Sequence, residues 1–251
     1  MTVRIGTSGW QYRHWKKLFY PEKLARQEWL AHYAAIFPSV EVNASFYRLP
    51  EGADIRRWCD TTPAEFLFSV KAPRSITHFK KLKNCESLLQ KLLGRLEVFG
   101  DRLGPVLFQL PPNWRCNARR LSDFLAALPR TKRFAFEFRD PSWHCEEVYG
   151  LLAAHGAAFC IFDLDGCTSP LVAPGAFVYV RLHGPRSGYT GNYRSPTLRT
   201  WAGRAWGWRR GGKDVYLYFD NDQRAYAAKN ARRMLSIVNE DERFPTSTAD
   251  R

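Results

Sequence analysis

The sequence predicts an α/β fold, a single closed (β/α)8 barrel, and three observations point to it. Eight short apolar segments alternate with helical patterns along 251 residues, close to the ~250 typical of one such domain. Several segments end in polar residues spaced two apart: Glu41 and Asn43, Glu137 and Arg139, Arg181 and His183, Asp220 and Asp222. Side chains two apart on a strand share a face, so these pairs gather functional groups at one end of a closed sheet, where such a barrel builds its site.

The first strand candidate, 3–7, leads into an aromatic excursion over 9–26 and a helical pattern over 28–37, which Pro38 ends. Strand two, 40–45, precedes a helical pattern at 52–59; strand three, 66–71, precedes a second long excursion, 72–85, and a helix at 86–99. Strand four, 106–110, is followed by a helix over 118–128 that Asn117 can cap. Strand five, 134–138, is followed by a helix over 146–155, with Gly156 where a left-handed residue is wanted. After strand six, 158–162, no helix is readable: Leu164-Asp165-Gly166-Cys167-Thr168-Ser169-Pro170 reads as an irregular loop or a single helical turn. Strands seven and eight, 177–182 and 215–219, are followed by helical patterns over 197–207 and 224–238. Such alternation implies parallel strands with right-handed crossovers. The two long excursions should lie over the functional end. The expected organisation is one domain over 1–240 with a tail at 241–251.

Composition supports a well-packed core, since hydrophobic residues make up 45% of the chain and aromatics 15%. Met1-Thr2-Val3-Arg4-Ile5 runs straight into the first strand candidate, leaving no room for a secretory core, and no apolar run approaches the ~20 residues of a membrane span. A soluble cytoplasmic protein without a membrane partner is expected. The 6 cysteines show no C-x-x-C pair or zinc-ribbon spacing, so reduced thiols are expected rather than bridges or a structural metal. The formal charge of +14 makes an anionic partner, nucleic acid included, plausible.

Blocks spread along the chain resemble a known family. They open with Ile5-Gly6-Thr7-Ser8-Gly9-Trp10, Tyr12, Trp15 and Phe19-Tyr20-Pro21, then Val40-Glu41-Val42-Asn43 with Phe46-Tyr47. Phe68-Ser69-Val70-Lys71-Ala72-Pro73-Arg74 with Ile76-Thr77-His78 follows, then Gly104-Pro105-Val106-Leu107-Phe108-Gln109-Leu110-Pro111-Pro112. The second half adds Phe136-Glu137-Phe138-Arg139 with Ser142-Trp143, Tyr179-Val180-Arg181-Leu182-His183-Gly184, and Tyr218-Phe219-Asp220-Asn221-Asp222. Together they resemble the YecE-like family, known as domain of unknown function 72. The resemblance implies a TIM barrel and no particular reaction. The likeness of that barrel to the xylose-isomerase and endonuclease IV type is an analogy between folds. Asp140 departs from the pattern, where His or another residue is expected after the Glu-Phe-Arg block.

If the strands are placed correctly, Glu41, Asn43, Lys71, Gln109, Glu137, Arg139, Asp163, Arg181, His183, Asp220 and Asp222 cluster at the carboxyl end of the barrel. Glu137 and His183 are the candidate general acid and base, because a dry polar pocket shifts such groups toward neutrality. Lys71 is a third catalytic candidate, with a Schiff-base role open to it if desolvated. Arg139, Arg181 and Lys71 suit a phosphate or carboxylate, and His78 stands on the loop beside Lys71. The glycine-rich loop over 183–193, with Arg186, falls where barrel enzymes often hold phosphate. A metal is conceivable among Glu41, Glu137, Asp163, His183 and Asp220, but no paired-histidine motif anchors one, and any cofactor is unknown from the sequence.

Two readings of function follow. One is an enzyme acting on a phosphorylated or nucleotide-like anionic substrate at the barrel mouth. The other is a nucleic-acid-binding protein with endonuclease IV-like metal chemistry, motivated by the charge and the loop aromatics. Cations on outer helices, where Arg119, Arg120, Arg204, Arg209 and Arg210 fall, favour the first. Oligomeric state has no signature in the sequence.

Overall fold

The computed structural model describes residues 1–243. Its strands in chain order are β1 (Val3–Thr7), β2 (Ser39–Val42), β3 (Leu67–Lys71), β4 (Leu103–Leu110), β5 (Phe134–Phe138), β6 (Ala158–Leu164), β7 (Cys167–Thr168), β8 (Phe177–Leu182) and β9 (Asp214–Phe219). All but β7 are parallel and run around the barrel in the order β1, β9, β8, β6, β5, β4, β3, β2. Between them lie α1 (Trp29–Ala34), α2 (Gly52–Thr61), α3 (Glu86–Leu96), α4 (Ala118–Ala126), α5 (Glu146–His155) and α6 (Ser195–Arg210), with α7 (Tyr226–Arg243) last. The expected eight-stranded barrel is therefore the observed one. The expected tail falls outside the described residues except for 241–243, which extend α7.

Local chemistry sets the boundaries. The Asn117 side chain accepts from the Arg120 amide at 2.9 Å and caps α4, and Gly156 closes α5 with φ 74°. After β6 the chain turns at Asp165 and Gly166, both with positive φ, and folds back as β7 antiparallel to β6 in place of a helix. Strand two is shorter than the sequence suggests. Ser45 Oγ donates to the carbonyls of Val42 and Lys71, at 2.6 and 2.7 Å, and this bends 44–46 into a 3-10 turn over the end of β3.

Two apolar layers hold the barrel. One lies between sheet and helices, and a smaller one fills the interior with Leu107, Ala135, Ala158, Cys160, Phe177, Tyr179, Tyr216 and Tyr218. The interior tyrosines need polar partners: Tyr218 Oη meets Ser39 Oγ at 2.5 Å and Ser69 Oγ at 2.8 Å, while Tyr179 Oη points up to Glu41. No helix among the described residues is long and apolar enough to cross a membrane.

The cylinder has one seam, between β1 and β2, which share no ladder beyond the bridge of Ser8 to Glu41. Gly6 permits the approach there, since a Cβ at this position would lie 2.1 Å from the Ser39 carbonyl oxygen. The Tyr33 hydroxyl stands in for the missing rungs. It accepts from the Thr7 amide at 2.8 Å and donates toward the Ser39 carbonyl at 3.2 Å.

Candidate functional site

Ladder partners in a parallel sheet share a face, so the register decides which strand-end groups meet. Glu137 pairs with Gln109, and Arg181 pairs with Phe162 on one side and Tyr218 on the other. Arg181 crosses the barrel fully buried. Its Nη1 donates to Glu137 Oε2 at 2.9 Å, and its Nη2 to Glu41 Oε1 at 2.8 Å, Asp220 Oδ2 at 2.9 Å and Ser8 Oγ at 3.2 Å. Ser8 Oγ donates in turn to Glu41 Oε1, and Tyr179 Oη donates to Glu41 Oε2 at 2.7 Å. Burial works against every charge in this floor, yet the ions hold one another charged. Glu41, Glu137 and Asp220 keep Arg181 well above its ordinary value despite burial. Burial likewise would raise Glu137, but Arg139 and Arg181 hold its carboxyl well below the usual range. Asp220, against the same burial penalty, is drawn to about 2 by Arg181, His183 and Lys71.

His183 is also fully buried, with Nδ1 3.0 Å from Asp220 Oδ2 and Nε2 3.0 Å from Arg139 Nη2. A guanidinium only donates, so Nε2 accepts and the ring proton sits on Nδ1, shared with Asp220. Glu137 Oε1 lies farther from Nε2, at 3.4 Å, and receives Arg139 Nε. Glu137 is thus a clamped carboxylate that orients two guanidiniums, whereas His183 and Asp220 form the couple able to hand on a proton.

Above this floor lies a second set of groups with hydrogen-bonding capacity to spare. Lys71 is 8% exposed, and its Nζ sits 4.3 Å from the centre of the Phe46 ring. Among the described residues no carboxylate lies within ion-pair distance of that Nζ. Burial, and secondarily the Arg181 charge, bring its pKa down to about 8. Arg139 packs over Phe162 and Tyr189, and its Nη1 has no acceptor among the described residues. His78 Nδ1 meets Thr77 Oγ1 at 2.9 Å, and its ring packs edge-on against Phe46. Burial, then the charges of Lys71, Arg139 and Arg74, lower its pKa. Gln109 completes this ring, nearly buried and without a side-chain hydrogen bond among the described residues.

The remaining candidates stand apart. Asp163 is not brought into the network: because Phe162 is the partner of Arg181, Asp163 faces the helix layer with Leu182, accepting from Tyr193 Oη at 2.7 Å and Thr168 Oγ1 at 3.1 Å. Asp222 lies beyond the end of β9, its carboxylate 3.6 Å from His14 Nε2, and burial followed by the Asp220 charge raises its pKa. Asn43 lines a cleft of about 340 Å³ with Trp10, Tyr12, Tyr47 and Trp58. The glycine-rich loop forms a separate polar cleft of about 410 Å³ between Arg186 and Arg224. Arg181, expected at the ligand, serves the floor instead. Ser8 and Tyr179 were missed, although Tyr179 lies two residues before Arg181 on the same face and the two-residue rule, run backwards, finds it. Among the described residues no group of three or more His, Cys, Asp or Glu is arranged to hold a metal. The carboxylates converge on a guanidinium.

The family described as "Protein of unknown function DUF72" matches residues 4–251. The chain belongs to the DUF72 family. This agrees with the YecE-like blocks in the sequence. UPF0759 protein YunF of Bacillus subtilis strain 168 is similar to this DUF72 chain, with 25% identity over 278 residues and 94% of each covered. UPF0759 protein YecE of Escherichia coli K12 is 30% identical over 144 residues, which cover 56% of this chain and 50% of the relative. A DUF72 protein of Thermotoga maritima MSB8 has a similar structure, with a TM-score of 0.86 at 28% identity, covering 95% of this chain and all 100% of the other. One from Enterococcus faecalis V583 reaches 0.80 at 17% identity, covering 95% of this chain and 96% of that one, a likeness of fold alone.

Proposed function

We propose that this DUF72 chain is an enzyme acting on a small anionic substrate, phosphorylated or nucleotide-like, at the C-terminal mouth of its barrel. One observation carries the reading: Lys71 Nζ, nearly buried, has no acceptor among the described residues, and it stands with Arg74 and with Arg139, whose Nη1 is left over from the pair with Glu137, around His78. A buried charge without a partner is costly, and an anionic group on a ligand would supply the partner. In this reading Arg139, with Arg74, takes the anion beside Lys71, His183 with Asp220 moves protons, and Glu41, Glu137 and Arg181 keep those groups in place. The basic residues Arg119 and Arg120 on α4, and Arg204, Arg209 and Arg210 on α6, belong to outer helices, which supports a narrow anion site over a broad nucleic-acid surface. The metal-dependent alternative has less support, because Glu41, Glu137 and Asp220 already serve Arg181.

Calorimetric titration with inorganic phosphate at low ionic strength tests the reading. Saturable binding is expected, and Arg139→Met should weaken it at least about tenfold, the equivalent of one charge-assisted hydrogen bond. Non-saturable binding, or binding indifferent to Arg139, overturns it.

A further inference from the structure

We propose that Lys71 is a covalent nucleophile, forming an imine with the carbonyl carbon of an anionic aldehyde or ketone. The inference rests on the anion-binding reading above and adds the reactive group of the substrate.

A lysine that only attracts anions works best in open solvent, and Lys71 is nearly buried. It stands at the carboxyl end of β3, its Nζ laid on the face of Phe46 at 4.3 Å. A carboxylate beside it would lock it in the protonated state, and three carboxylates are close enough to be felt electrostatically. Each is committed elsewhere: Glu41 to Arg181, Ser8 and Tyr179, Glu137 to Arg139 and Arg181, Asp220 to Arg181 and His183. With a pKa of about 8, Lys71 holds on the order of a hundredfold more free amine at pH 7.5 than an exposed lysine of ordinary pKa ~10.4. Desolvation of this kind is a known way to activate an amine. His78, whose ring packs against the same Phe46, is the proton relay beside it.

The step balances without oxidant or reductant. The Nζ lone pair attacks the carbonyl carbon while a proton passes from nitrogen to oxygen, giving a carbinolamine. The carbon–oxygen bond then breaks, the oxygen leaves as water with a proton from His78, and nitrogen and carbon form the imine double bond as nitrogen gives up its remaining proton, which restores the one His78 supplied. The anionic group of the substrate is held by Arg139 Nη1 with Arg74, leaving Lys71 to the carbonyl.

The test uses glycolaldehyde phosphate and unphosphorylated glycolaldehyde as probes, with cyanoborohydride to reduce the imine and peptide mass mapping to locate it. Lys71 is expected to be modified at least about tenfold faster than any other lysine, faster by the phosphorylated probe, and more slowly when inorganic phosphate is present. Lys71→Arg should remove the preferred modification. Modification spread evenly over the lysines, with phosphate binding intact, overturns the imine and leaves the anion site standing. Preferred modification of Lys71 by both probes alike, without phosphate binding, supports the nucleophile and overturns the anionic substrate.

Discussion

Replacing Lys71 with methionine should stabilise the protein. Folding takes this ammonium from water into a site where burial and Arg181 disfavour its charge, lowering its pKa from the ordinary 10.5 to about 8. At about 1.4 kcal/mol for each tenfold change in proton affinity, the charged form costs the native state roughly 3 kcal/mol at pH 7. Methionine has nearly the same reach and no charge to desolvate. It forfeits the contact of Nζ with Phe46, worth about 1 kcal/mol. The expected gain is about 2 kcal/mol, or on the order of 5 °C in Tm for a chain of this size. The sign with pH is fixed by linkage: between pH 8 and 10.5 the unfolded chain binds more protons at this position than the folded one, so the wild type gains stability as pH rises through that window. The advantage of Lys71→Met should therefore be full at pH 7 and nearly gone by pH 10.5. Calorimetric or circular-dichroism melts of both proteins at pH 7 and 10 measure it. A variant that melts below the wild type at pH 7 refutes the account of Lys71 as an unmatched charge.

Arg181→Met should have the opposite effect, a loss of about 3–5 kcal/mol in urea denaturation, because it strands the carboxylates of Glu41, Glu137 and Asp220 inside the barrel. Asp220, held at about 2, should contribute roughly 2 kcal/mol that is present above its unfolded pKa near 3.9 and lost as pH falls toward 2. Asp220→Asn should lose a similar amount at pH 7 and show a shallower acid limb between pH 4 and 2. Tyr33→Phe removes the hydroxyl that serves the Thr7 amide and the Ser39 carbonyl. It should cost about 1–3 kcal/mol, and hydrogen exchange at the Thr7 amide should quicken more than at Ile5.

Much of this was legible in the sequence because strand-end alternation is a local property. Glu137 and Arg139, and Arg181 and His183, fall on one face as the two-residue spacing requires, and their ion pairs follow. The missing helix after β6 was equally readable from its turn residues, although the antiparallel return of β7 was not. Register between strands is a global property and cannot be read from one strand. It puts Phe162 opposite Arg181, and so turns Asp163 outward. The same limit applies to Asp222, which shares a spacing with Asp220 but lies where the strand has already ended. The division of labour among the charges was also hidden. The sequence presented five carboxylates and three cations as interchangeable, and only their distances show that Arg181 is spoken for and Lys71 is not.

Glu41, Glu137 and Asp220 cancel Lys71, Arg139 and Arg181 in formal charge, so the surplus of +14 belongs to the remainder of the molecule. Two electrostatic regimes then coexist. The outer surplus acts across solvent and fades beyond the Debye length, about 8 Å at physiological ionic strength, whereas groups shielded from mobile ions are screened far less. An incoming anion meets a distant attraction that electrolyte erases and a close grip that electrolyte leaves largely intact. Its affinity should decline with added sodium chloride toward a plateau rather than vanish.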